Sequence, residues 1–139
     1  MYMPITGEQV EQALESDPEI GAVYLTSPNM EGLVANYQEI RKACQDVLLI
    51  VDEAHGAHSY FSKLMPEPAL KGGADVAVCS VHKTLGALSA SAMINVSKHS
   101  RISAAKVKDA YHLLNTTSPS PLLLADVESC VREFKTRGE

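Results

Sequence analysis

Positive charge is scarce in this chain. Its 139 residues hold 12 Lys and Arg against 17 Asp and Glu, and no basic stripe gathers on any segment. A nucleic-acid surface draws its affinity from clustered Lys and Arg, so that class of function is excluded. Long apolar runs are missing too. The longest, Val47 to Val51, falls far short of the ~20 residues that span a bilayer. The opening residues, Met1-Tyr-Met-Pro-Ile-Thr-Gly-Glu8, carry neither a basic nor an apolar segment, and no secretion signal is legible. Cysteine is sparse, with Cys44, Cys79 and Cys130 odd in number and far apart. That pattern argues against a disulfide framework and for free, buried or half-buried thiols in a reducing compartment. No repeat, low-complexity tract or interdomain linker interrupts the chain. With 45% hydrophobic content and this length, the expectation is one soluble globular domain in the cytoplasm.

What is present alternates between helix and strand signals. Thr6-Gly-Glu-Gln9 fits a capping box, and Val10, Ala13 and Leu14 follow at helical spacing, predicting a helix to about Ser16. Ile20 to Thr26 is a short apolar run closed by the turn residues Ser27-Pro28-Asn29. Asn36-Tyr-Gln-Glu39 opens a second helix. Val47 to Val51 is apolar without alternation, as in a parallel strand covered on both faces. After the Gly72-Gly73 break comes another apolar run, Asp75 to Ser80. Together these elements predict an α/β fold, a three-layer sandwich around a mainly parallel sheet. Ser91 to Val96 follows too closely for a helical crossover, so that strand is expected to return antiparallel. Ile102 to Leu114 and Leu122 to Lys135 read as two closing helices.

In open α/β sheets, ligands bind beyond the carboxyl ends of the strands. Here those ends carry Ser27-Pro28-Asn29, Asp52-Glu53-Ala54-His55 and Ser80-Val81-His82-Lys83. An acid, imidazoles, hydroxyls and one lysine would converge on a single rim. Blander roles compete with this: Asp52 can simply cap the next helix, and His58 can be a hydrogen-bonded loop histidine. His55 and His58 have a spacing that would suit a metal, but no further ligand stands at a convincing distance, and no metal is expected. Leu48-Leu-Ile-Val-Asp-Glu-Ala-His55 also matches the acidic motif of DEAH-type helicases, in which Asp holds magnesium and Glu orients water. Such a nucleotide hydrolase needs a Gly-x-x-x-x-Gly-Lys-Ser/Thr phosphate loop, and the sequence has none.

Four blocks extend the pattern across nearly the whole chain: LTSPNMEGL, VDEAHGAH, GADVAVCSVHKTLGAL and LLNTTSPSPLLLA. In order and spacing they resemble the major domain of the Orn/Lys/Arg decarboxylases, pyridoxal 5'-phosphate enzymes of the aspartate-aminotransferase fold (fold type I). The resemblance implies that Lys83 forms the internal aldimine with the cofactor, a role that needs a neutral amine; a desolvated strand-end loop would favour that form. It further implies that Ser80 and His82 bind the phosphate, with Gly86 and Ala87 letting the backbone approach the cofactor. Asp52 would face the ring nitrogen, and His55 would lie near the ring hydroxyl or the substrate. Asn29 would lie at the ring edge. His82 and Lys83 are the implied proton donors. Thr116, Thr117 and Ser118 would approach the cofactor of a partner subunit in a homodimer or higher oligomer. The implied substrate is arginine, lysine or ornithine.

Two departures from the family stand out. Ala90, in Leu88-Ser-Ala-Ser-Ala-Met93, occupies a position where members usually have Gln. The upstream phosphate cradle with its ring-stacking histidine, and the C-terminal domain, have no counterpart in residues 1–139. The expectation is one wall of a pocket, inactive alone. A non-catalytic remnant that binds decarboxylase subunits is the alternative.

Overall fold

The computed structural model describes residues 3–137. The segment read for a secretion signal therefore begins with two residues outside that range. Helix α1 (Gly7–Ser16) starts at the expected capping box: Thr6 accepts from Gln9 N, and the Gln9 side chain accepts from Thr6 N. Strand β1 (Ala22–Thr26), helix α2 (Tyr37–Cys44) and strand β2 (Leu48–Asp52) follow, with Asn36 capping α2 through Glu39 N. A 3-10 turn (Ala57–Tyr60) leads towards β3 (Val76–Ser80), the short helix α3 (Val81–Thr84) and β4 (Ala92–Val96). Helices α4 (Ala104–Leu114) and α5 (Pro121–Arg137) close the chain. No described helix is long and apolar enough to cross a membrane.

The sheet order is β1-β2-β3-β4, with the first three strands parallel and β4 antiparallel to β3, as the spacing predicts. Helices α1 and α2 cover one face. Val10 and Ile40 meet Leu25, Leu49, Val51 and Ala77 there in one buried cluster. Full burial of each large aliphatic side chain is worth about 1.5–3 kcal/mol, so this face carries most of the core's stabilisation. Gly72 is required beneath it, because a Cβ at that position would meet Tyr37 Cβ at 2.4 Å. A second cluster, Ala57, Cys79, Val81, Leu85 and Ala87, is covered by Val127, Cys130 and Phe134 of α5.

The opposite face is thinner than the sequence suggests. Leu49 and Val51 are fully buried, but Leu48 and Ile50 are only half-buried, and Tyr24 and Ile94 are 63% and 44% exposed. Helix α4 flanks that face, where Val107 and Tyr111 share an apolar groove with Val78, Ile94 and Val96. The lack of alternation in the β2 run therefore overstated its cover. The cysteines match expectation as free thiols, Cys44 and Cys79 buried and Cys130 half-buried.

At the amino ends of the strands, Asp75 ties the fold together. Its fully buried carboxylate accepts from Leu49 N (2.8 Å), Arg101 N (2.8 Å) and Arg41 Nη1 (3.0 Å). Arg41 Nη2 donates onward to the carbonyls of Gln45 and Val47. This network lies at the far edge from the strand carboxyl ends.

Candidate active site

Parallel pairing aligns Thr26 with Asp52 and Asp52 with Val78, so the segments after β1, β2 and β3 leave the sheet at one edge. Alternation sends Asp52 to the thinly covered face. There its Oδ1 accepts from Ala54 N at 2.9 Å and its Oδ2 from the Tyr24 hydroxyl at 3.2 Å. Asp52 is thus both the cap of the following turn and a carboxylate turned to the rim. Partial desolvation and the Asp52 charge both raise the Tyr24 pKa above its usual value.

The chain turns sharply after Glu53, with Gly56 N donating to Glu53 O at 2.8 Å. That turn brings His55 Nε2 to 3.4 Å from Lys83 Nζ. Lys83 lies in α3, a four-residue helix, and is exposed. The expectation of a desolvated loop is corrected on both points. Backbone pairing of Leu85 N with Val81 O winds the small-residue segment into a helical turn. That turn lifts Lys83 away from the apolar cluster formed by Val81, Leu85 and Ala87.

Ser80 ends β3 and opens α3 without using its hydroxyl as a cap. His82 Nδ1 lies 2.8 Å from the Ser91 carbonyl oxygen. A carbonyl only accepts, so Nδ1 carries the hydrogen and Nε2 is left as the ring's other polar atom. Gly86 has a φ of +75°, which favours glycine, and a Cβ there would meet no protein atom within 4 Å. Ala87 is buried in the second cluster rather than facing the rim.

The remaining candidates disperse. Asn29 Oδ1 accepts from Glu31 N and Leu33 N at 3.1 and 2.8 Å, organising the turn after β1. His58 sits in the 3-10 turn with a buried Nδ1 that makes no hydrogen bond, so the bond expected of it is not formed there. Thr116, Thr117 and Ser118 are exposed between α4 and α5, with Ser118 N donating to Thr116 Oγ1. Among the described residues no group of three or more His, Cys, Asp and Glu is placed to hold a metal.

Two contributors escaped sequence reasoning, Tyr24 and Tyr60, and Glu53 entered it only as the glutamate of the helicase motif. Tyr24 stands two residues before the end of β1, on the Asp52 face, a signal readable only once β1 and β2 are known to pair. Glu53 is 1% exposed and accepts from Tyr60 and Ala69. A helicase would need that glutamate to face a nucleotide and orient water. Its burial on the opposite side of the strand from Asp52 overturns that reading.

Known proteins resemble both the sequence and the fold. A family model described as Orn/Lys/Arg decarboxylase, major domain, matches residues 3–138. An arginine decarboxylase of Halalkalibacterium halodurans is 39% identical over 136 residues, which cover 96% of this chain and 28% of the relative. An arginine decarboxylase of Bacillus subtilis is 35% identical, with the same coverage of 96% and 28%. The chain therefore spans little more than a quarter of the length of these relatives. Among solved structures, pyridoxamine-pyruvate aminotransferase from Mesorhizobium loti superposes with a TM-score of 0.70 at 19% identity, covering 96% of this chain and 38% of that one. Sphingomonas wittichii serine palmitoyltransferase gives a TM-score of 0.68 at 22% identity, covering 94% and 34%. Such likeness speaks for the fold alone, that of the pyridoxal-phosphate-dependent transferases of fold type I. By the family match along nearly its whole length, the chain belongs to the Orn/Lys/Arg decarboxylases.

Proposed function

We propose that this chain forms one wall of the active site of a pyridoxal-phosphate-dependent decarboxylase of basic amino acids. The observation that carries the reading is the approach of Lys83 Nζ to His55 Nε2, 3.4 Å apart, on the same sheet edge as Asp52 in a chain of this family. Arginine is the first candidate substrate, because the named relatives are arginine decarboxylases; lysine and ornithine are the competitors.

The residues present suit such a cofactor. A primary amine stands exposed beside an imidazole, a half-buried carboxylate faces the same rim, and the Ser80 hydroxyl is not consumed as a cap. Lys83 would hold the aldehyde carbon, Asp52 the ring nitrogen, Ser80 and His82 the phosphate, and His55 the ring hydroxyl. When bound, the cofactor supplies an electron-accepting ring for the pair left behind as carbon dioxide departs. Asp52 would keep a proton at the ring nitrogen, and Tyr24 with Ala54 N keeps Asp52 in place. Lys83 would return a proton to the substrate carbon, or His82 would do so through Nε2 in place of its phosphate contact. The reading also needs a phosphate cradle and a ring-stacking group beside these residues. Thr116, Thr117 and Ser118 would face the cofactor of a partner subunit in a homodimer or higher oligomer. The protein works in the cytoplasm.

A chimaera tests this directly. Residues 3–138 replace their counterpart in the Halalkalibacterium arginine decarboxylase, and carbon dioxide release is measured from arginine, lysine and ornithine. Release from arginine ahead of the other two is expected. A folded chimaera that releases none from any of the three overturns the reading.

A further inference from the structure

Glu53 is the member of Asp52-Glu53-Ala54-His55 that the proposed chemistry leaves unused. It is 1% exposed, and among the described residues no Lys or Arg pairs with it. Burial raises its carboxyl pKa above the usual range, while hydrogen bonds from Tyr60 and Ala69 partly oppose the shift. A buried acid without a cation costs free energy that an apolar side chain at the same place would not. Packing alone gives no reason for an acid at this position.

Its contacts supply one. Oε2 accepts from the Tyr60 hydroxyl at 2.6 Å and Oε1 from Ala69 N at 2.8 Å. The Glu53 backbone is held as well, its N–H by Val78 O and its carbonyl by Gly56 N, both at 2.8 Å. The segment from Glu53 to Tyr60 is thus anchored at each end by one residue, and His55 lies between the anchors. There is no slack in it, since a Cβ on Gly56 would meet Pro28 Cδ at 2.8 Å.

We propose that Glu53 is a positioning residue that, by gripping Tyr60 and the Ala69 amide, fixes the turn carrying His55 and so sets His55 Nε2 against Lys83 Nζ. The meaning of that contact for catalysis rests on the function proposed above; the contact itself does not. Glu53→Gln keeps an acceptor for Ala69 N and a donor for the Tyr60 oxygen, whereas Glu53→Ala drops both.

Two readouts on the full 139-residue chain test the proposal. The first is the side-chain nitrogen signal of His55 in the 15N-labelled protein without cofactor, assigned with His55→Gln and compared with Lys83→Met. The second is capture of pyridoxal phosphate on Lys83, fixed by borohydride and counted against the exposed Lys106 of the same chain. Glu53→Ala should move the His55 signal to that of Lys83→Met and lower capture about tenfold, while Glu53→Gln keeps both within about twofold of wild type. Wild-type signal and capture in folded Glu53→Ala overturn the proposal. Should that variant fail to fold, Tyr60→Phe decides in its place: a displaced His55 signal supports the grip, and an unmoved one overturns it. In the chimaera, where the rest of the pocket is present, capture on Lys83 no greater than on Lys106 contradicts the function proposed above, and the His55 signal then still decides the role of Glu53.

Discussion

Lys83 Nζ lies 3.4 Å from His55 Nε2, although 28 positions separate the two residues in sequence. They meet because β2 and β3 are parallel neighbours, so the turn after Asp52 and the helix after Ser80 leave the sheet at the same edge. A different strand order would scatter the same residues. The chemistry proposed for the site therefore depends on topology as much as on residue type.

Asp52 is expected to act on the rate more than on binding. In the chimaera, Asp52→Asn should lower kcat by about two to four orders of magnitude, roughly 3–5 kcal/mol. KM should change little, because the lost charge stabilises the transition state more than the ground state. Tyr24→Phe removes only one of the two donors to Asp52, so its effect should stay below about tenfold, the scale of one lost hydrogen bond. Steady-state kinetics of both variants check this, and an Asp52→Asn enzyme with near-normal kcat contradicts it.

Asp75 should govern acid stability. Burial pushes its pKa up, but hydrogen bonds from Leu49 and Arg101 amides and the charges of Arg101 and Arg41 outweigh it and hold the carboxyl below its usual value. A carboxyl depressed in the folded state stabilises above its unfolded pKa, about 4, and that contribution is lost as pH falls through the folded value. Asp75→Ala strands two guanidinium groups and should cost about 3–5 kcal/mol at neutral pH. Denaturant melts across the acid range, wild type against variant, measure the loss. A difference that stays constant down to strongly acid pH contradicts it.

Much of this architecture was legible beforehand, for local reasons. The Thr6 and Asn36 caps are set by contacts three residues apart, and the antiparallel return of β4 follows from a short connection. The rest depends on distant partners. The Asp75 network joins residues 26 and 34 positions apart, and no local pattern announces it. Within the acidic motif, Asp52 and Glu53 look equivalent until strand alternation turns one to the rim and buries the other. The exposure of Lys83 departs from the desolvated strand-end loop that the small-residue run suggests, because α3 carries the side chain outward.

Glu53 should show the opposite pH sign to Asp75. Its pKa is raised by burial, so its contribution to stability is full below the unfolded value and is lost as pH rises through the folded one. Glu53→Gln carries no charge and escapes that loss. The stability of the variant relative to wild type should therefore increase from acid to neutral pH, by about 1.4 kcal/mol for each pH unit by which the folded pKa is raised. Paired denaturation curves at several pH values test this; a difference that falls with pH contradicts it.

Ala90, where the family usually has Gln, occupies the left-handed region with φ of 68°. A Cβ in that region costs about 1–2 kcal/mol, which glycine avoids at some expense in unfolded-state entropy. Ala90→Gly should raise stability by a few tenths to about 1 kcal/mol. Because Ala90 is exposed, no packing is lost. A destabilised variant in a thermal melt would show that this strain is absent.

The central claim, that Lys83 is the lysine joined to the cofactor, has a direct measurement. The chimaera is loaded with pyridoxal phosphate, reduced with borohydride and digested, and its peptides are mapped by mass spectrometry. The account predicts the cofactor on the peptide containing Lys83 and its disappearance in Lys83→Ala. Cofactor fixed on another lysine, or retained in full by Lys83→Ala, would contradict it.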